Sequence, residues 1–81
     1  SHVHHRAGMV LAKMAAKAWS DGRSPEALSH FIEAKRRIHQ AGGKVPAGIT
    51  LVQRMEFFNY LDTMINLLKK SNVEPAPIKY E

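Results

Sequence analysis

Gly22-Arg23-Ser24-Pro25-Glu26-Ala27-Leu28-Ser29-His30-Phe31-Ile32-Glu33-Ala34 decides the fold. A breaker comes first, then a helix start, then small and large apolar residues at the spacing that faces a neighbouring helix. Gly22 supplies the left-handed conformation that the end of a preceding helix requires. Ser24 reads as the N-cap, and Pro25 suits the first helical position because its missing N–H has no intrahelical partner there. Glu26 then sits at the positive end of the helix dipole. Ala27, Leu28, Phe31, Ile32, Ala34 and Ile38 form the apolar side. Lys35, Arg36 and Arg37 lie towards the C-terminal end, where positive charge is favoured, and Gly42-Gly43 stops the helix.

Working outward, the spacing predicts a first helix from about His5 to Ser20. Its stripe is Ala7, Leu11, Met14, Ala15 and Ala18, with Val10 and Trp19 at the margins. The alanines raise helix propensity and keep this helix narrow, so its neighbours can approach closely. Beyond the Lys44–Gly48 loop, Thr50 and Gln53 have the spacing of a capping box. A third helix follows from about Leu51 to Lys70. Leu51, Met55, Phe58, Leu61, Ile65 and Leu68 make its stripe, and Phe57 and Met64 widen it. Ser71-Asn72 releases the chain. Residues 73–81 contain Pro75 and Pro77 and read as extended, either a linker or a segment docked through Ile78 and Tyr80. Short connections make sequential helices antiparallel. The expected architecture is therefore all-α: an antiparallel up-down-up three-helix bundle over residues 1–72 with an extended C-terminal tail at 73–81.

The composition narrows the chemistry. In 81 residues there are 12 Lys and Arg against 7 Asp and Glu, a formal charge of +5, and no cysteine. Disulfides and thiolate zinc sites are excluded. No apolar run approaches the roughly 20 residues that span a bilayer, and the opening residues lack a signal-peptide pattern. The expectation is an intracellular protein, cytoplasmic ahead of nuclear, and a monomeric domain cut from something longer. The basic excess favours an acidic peptide, nucleic acid or an anionic surface as partner, unless it serves solubility alone.

Catalytic and cofactor constellations do not emerge. His2, His4 and His5 fall on an expected frayed end and read as solvated histidines. His30 and His39 are about 900° of helix rotation apart and face opposite sides, so no metal site is expected. Ser20, Ser24, Ser29 and Ser71 occupy caps and helix surfaces rather than a nucleophile elbow. Gly42-Gly43-Lys44 lacks the strand and the Ser or Thr of a phosphate loop. Glu33 with Arg37 reads as a surface ion pair. No enzyme and no cofactor are expected. Lys35-Arg36-Arg37, with Lys44 nearby, is the leading electrostatic feature. Phe31 and Phe58 read as buried. Phe57 and Phe58 point about 100° apart, so one of Phe57, Tyr60 or Met64 is left to line an outer groove.

Gly22, Ala27-Leu28, Phe31 and Ala34, with Tyr60-Leu61-Asp62 and Leu67, resemble the spacing of MIT (microtubule-interacting and trafficking) domains over about residues 7 to 70. Ser24-Pro25 and Thr63-Met64 depart from that pattern, and Ala27, Phe31 and Ala34 are also similar to a tetratricopeptide hairpin. The MIT resemblance implies a non-catalytic trafficking module that holds short protein tails, often from ESCRT-III proteins, in a groove beside the third helix. The expected groove lies between the second and third helices. Its peptide-binding residues are Phe57, Met64 and Leu68, with Lys35, Arg36 and Arg54 at a basic rim, and Lys69 beside them. The alternatives are a nucleic-acid-binding bundle using Lys35, Arg36, Arg37 and Lys44, and a structural docking or dimerisation domain.

Overall fold

The computed structural model describes residues 2–80. Ser1 and Glu81, the ends of the expected bundle and tail segments, lie outside the described residues. Three helices run in sequence among these residues: α1 (Val3–Ser20), α2 (Ser24–Ala41) and α3 (Leu51–Lys70). They form an all-helical bundle in which successive helices are antiparallel.

Local chemistry sets each boundary. Gly22 has φ +80°, and Arg23 N–H donates to the Ala18 carbonyl at 2.8 Å, so the chain reverses within three residues. The α2 N-cap is Arg23, not Ser24, and no side chain caps it. The Arg23 carbonyl already accepts from Ala27 N–H at 2.9 Å, which starts the helix one residue early and leaves Ser24-Pro25 inside the first turn. At α3, Thr50 Oγ1 accepts from Gln53 N–H at 3.1 Å and Gln53 Oε1 accepts from Thr50 N–H at 2.9 Å, completing the box. The far end of α3 closes with Val73 N–H donating to Leu68 O and Asn72 N–H to Lys69 O, a Schellman pattern. Asn72, at φ +60°, takes the left-handed position there, which its short polar side chain tolerates.

The core is unequal. α1 and α2 share far more contact than α2 and α3, and α1 scarcely touches α3. The α1–α2 seam is made of small residues, Gly8, Ala12, Ala15 and Ala18 on one side and Ala27 and Ala34 on the other, with Leu28, Phe31 and Ile38 filling the space beside them. A Cβ at Gly8 would lie 2.6 Å from Ile38 Cδ1 and 3.1 Å from the Ala34 carbonyl oxygen. Leu11, Ala15 and Ala18 of the expected stripe are buried, and the close approach adds two smaller residues to them. Gly8 and Ala12 face inward, while Met14 is 46% exposed, because the smallest residues allow the nearest backbone approach. From α3, Leu61, Ile65 and Leu68 complete the core. Leu51 and Met55, expected in the same stripe, are 59% and 60% exposed, since the first two turns of α3 overhang the hairpin. Phe58 is half-buried rather than buried. Lys35 Nζ stands 5.5 Å above its ring.

The tail is docked. Ala76 N–H donates to the Pro25 carbonyl at 3.0 Å, and Ser29 Oγ donates to the Ala76 carbonyl at 2.5 Å. Tyr80 Oη lies 2.6 Å from His30 Nδ1, and Val73 and Tyr80 pack against the core. Residues 76, 78 and 80 are partly covered and 77 and 79 are exposed, the alternation of an extended strap with one face down.

Two outcomes follow from this packing. Gly8→Ala gains about 1 kcal/mol of helix propensity but overpacks the seam at a cost of about 1–3 kcal/mol, so urea unfolding should show net destabilisation. A more stable variant would contradict the close approach. Tyr80→Phe removes the contact with His30 and should lower stability by about 1 kcal/mol in the same measurement. Unchanged stability would show that the strap is not held there.

Candidate functional site

Because α3 leans on α2 and not on α1, a furrow stays open between the two parallel helices. Its volume is about 520 Å³. Ala12 and Ala16 of α1, one turn apart, keep the floor shallow. Met9 on one wall faces Phe57 and Tyr60 on the other, whose rings stack at 6.3 Å and 13°. Lys13 stands at the α1 rim, with Gln53 and Glu56 at the α3 rim. Gly48 and Ile49 of the connecting loop close one end. The surface is therefore apolar below and charged at the edges, the form that accepts a complementary amphipathic element.

The expected site residues are dispersed. Phe57 lines the furrow. Met64 is half-buried against the core, and Leu68 is 2% exposed inside it, out of reach of a ligand. Lys35 Nζ lies 2.6 Å from Asp62 Oδ1, an ion pair that crosses the α2–α3 seam where the groove was expected. That seam holds a smaller hollow of about 290 Å³ beside His39, Arg54 and Phe58. Arg36 and Arg37 both grip Glu33, with Arg36 Nη2 at 2.5 Å and Arg37 Nε at 2.8 Å from the same oxygen. Hydrogen bonds from Arg36, and then from Arg37, outweigh burial and hold the Glu33 carboxyl below its usual pKa. The three cations of the expected polyanion patch are thus each paired with a carboxylate, while Lys44 is exposed in the loop. Arg54 Nη2 donates to the Ile38 carbonyl at 3.1 Å, and Arg54 Nε is buried without a partner in the protein.

Two histidines depart from expectation. α1 starts at Val3, so His5 lies within a formed first turn and is 2% exposed, not solvated. Its ring lies 6.2 Å from that of Phe57, at 45°, and forms part of the furrow wall. Both ring nitrogens lack a protein partner, and an unsatisfied buried polar group costs about 1–3 kcal/mol. Burial above all, then the charges of Arg54 and His2, lowers the His5 pKa. The spacing His5, Gly8, Ala12, Ala15 is itself a helical stripe and was the available signal for this burial. His30 is also buried, under the tail, and its pKa is lowered by burial and then by Arg23. Its Nε2 is 3.9 Å from Glu26 Oε2, too far for a hydrogen bond that would offset the burial.

Among the described residues no group of three or more His, Asp or Glu is placed to hold a metal ion, and no helix is long and apolar enough to cross a membrane. No family model, curated protein or solved structure matches the chain.

The buried histidines set an acid limb for stability. Both have folded pKa values below the unfolded value of 6.5, so the unfolded chain binds more protons below that pH. The stability of the neutral rings is present above 6.5 and is lost as pH falls from there towards the folded values. Urea unfolding at about pH 7.5 and about pH 5.5 should show the loss, well above the range where Glu33 and Asp21 titrate. Equal or greater stability at the lower pH would contradict it.

Proposed function

We propose that this chain is a non-catalytic protein-interaction module that captures a short amphipathic helix, acidic along one edge, in the furrow beside α3. The observation that carries this reading is the open apolar channel between two parallel helices that scarcely touch. A helix lying there would pack on Ala12 and Ala16, insert side chains at i, i+3 and i+4 between Met9 and Phe57, and complete a four-helix arrangement. Lys13 at the rim and the formal charge of +5 favour an acidic segment and speed its encounter. The MIT-like spacing around Gly22 and Phe31 supports the same reading, although the furrow lies on the α1 side of α3 rather than the α2 side.

Nucleic acid is the weaker alternative. Phosphates at Lys35, Arg36 and Arg37 would have to compete with Asp62 and Glu33, which already neutralise these groups. Self-association rests on a separate observation, the exposed Leu51, Val52 and Met55 at the start of α3.

Titration of isotopically labelled protein with an acidic amphipathic helical peptide, followed by amide shifts, tests the proposal. Shifts should centre on Met9, Ala12, Ala16, Phe57 and Tyr60. Ala16 is exposed, so Ala16→Glu should leave the fold intact and weaken binding about tenfold or more, about 1.4 kcal/mol. Shifts confined to Lys35–Arg37, or shifts seen only with duplex DNA and abolished by salt, would contradict it.

A further inference from the structure

We propose that the end of the bundle where α1 begins, α2 ends and α3 begins docks on the surface of an anionic lipid bilayer. The proposal goes beyond the furrow and does not depend on it. Close contacts bring the three helix ends together. A Cβ at Gly8 would meet Ile38 and the Ala34 carbonyl, which sets the start of α1 beside the last turns of α2. Arg54 Nη2 donates to the Ile38 carbonyl, and the His5 ring lies 6.2 Å from that of Phe57, which sets the start of α3 beside both. Leu51, Val52 and Met55 are 59%, 64% and 60% exposed there, and Val3 at the start of α1 is 65% exposed. Leu51 and Met55 are one helical turn apart and Val52 adjoins Leu51, so the three form one apolar tip on the first turns of α3.

Charge decides what covers that tip. Residues 1–20 and 34–55 contain no Asp or Glu. Asp21 follows α1, Glu26 lies in the first turn of α2 and Glu74 follows α3, so these carboxylates belong to the opposite end. Those of Glu33 and Asp62 are held by Arg36, Arg37 and Lys35. Glu56 is exposed one turn further along α3 than Val52. Arg6 and Lys44 are exposed with no carboxylate partner among the described residues, and Arg54 bonds a backbone carbonyl instead of an acid. The end is therefore apolar at its tip and cationic around it. An anionic bilayer complements both parts, since its headgroups meet the cations and the acyl boundary takes the aliphatic side chains. Two other occupants fit less well. A second copy meeting this end through a two-fold contact would set Arg6, Lys44 and Arg54 against like charges. Nucleic acid would meet the cations but gain nothing from Leu51, Val52 and Met55.

Sedimentation of the intact protein with lipid vesicles tests this. Vesicles of mixed phosphatidylserine and phosphatidylcholine should carry the protein down, and vesicles of phosphatidylcholine alone should bind it about tenfold or more weakly. Spin-labelled lipid should broaden the amide signals of Val3–Arg6 and Leu51–Met55 before those of Asp21–Glu26 at the opposite end. Lys44→Gln should weaken binding about fivefold, the effect of one cation near such a surface. Leu51→Glu combined with Val52→Glu should abolish it. Both side chains are exposed in the first turn of α3, where acidic residues favour the helix dipole, so the fold is kept. Lys69→Gln, at the opposite end, should change binding little. Equal binding to neutral and anionic vesicles, binding to neither, or a greater loss from Lys69→Gln than from Lys44→Gln would overturn the proposal. So would duplex DNA that displaces the vesicles at equal phosphate concentration, or a dimer that forms through this end and leaves no vesicle binding. Peptide capture in the furrow is read separately, by the amide shifts of Met9, Phe57 and Tyr60, and stands or falls without these results.

Discussion

The close approach of α1 to α2 is the constraint on which the rest depends. Gly8 against Ile38 and the Ala34 carbonyl, with Ala12, Ala15, Ala18 and Ala27 along the seam, lets two backbones come nearer than larger side chains permit. Dispersion between many closely spaced atoms then favours this pair over any arrangement that shares contact equally among three helices. The hairpin becomes the most closely packed part of the molecule. α3 can join only where Leu28, Phe31 and Ile38 of α2 still present apolar surface, and it does so through Leu61, Ile65 and Leu68.

That asymmetry opens the candidate site. A third helix seated equally on both partners would close the channel between α1 and α3. Here Phe57, Tyr60 and Met9 are left as walls around the small floor of Ala12 and Ala16. Electrostatics reinforces the arrangement from the other side. Lys35 and Asp62 cross the α2–α3 seam, and Glu33, buried rather than at the surface, gathers Arg36 and Arg37 along α2. The tail adds a clasp over the start of α2, where Ser29, His30 and Pro25 meet Ala76 and Tyr80. The open face of the molecule is therefore the α1–α3 side, and His5, whose ring nitrogens lack a protein partner, forms part of its wall.

Much of the fold is legible in the sequence because it is written in local signals. Gly22, Pro25, Gly42-Gly43 and the Thr50–Gln53 box mark ends through backbone chemistry that depends little on distant residues, and the structure moves only the α2 cap, from Ser24 to Arg23. The site is far less legible, since it depends on how the helices are rotated and how closely they approach. Hydrophobicity points Met14 and Met55 inward, but the small-residue seam of α1 leaves Met14 exposed, and the overhang of the first turns of α3 leaves Met55 exposed. Leu68 looks like a groove residue by spacing and is core by packing. A cluster such as Lys35-Arg36-Arg37 shows its charges in sequence but not its partners, because Asp62 is brought to it only by the fold. His5 was concealed by its neighbours His2 and His4, which give that segment the look of a solvated end.

Native-state hydrogen exchange tests the central claim most directly, because it reads the packing of each helix separately. If the α1–α2 hairpin is the most closely packed unit, amides on the Gly8–Ala18 and Ala27–Ile38 segments exchange slowest and through a shared opening. Amides over the first half of α3, Leu51 to Phe58, exchange substantially faster through a local opening of lower free energy. Equal protection of that half-helix and the hairpin would contradict the account, since it would mean that α3 is packed against both partners and that no channel stands open between α1 and α3.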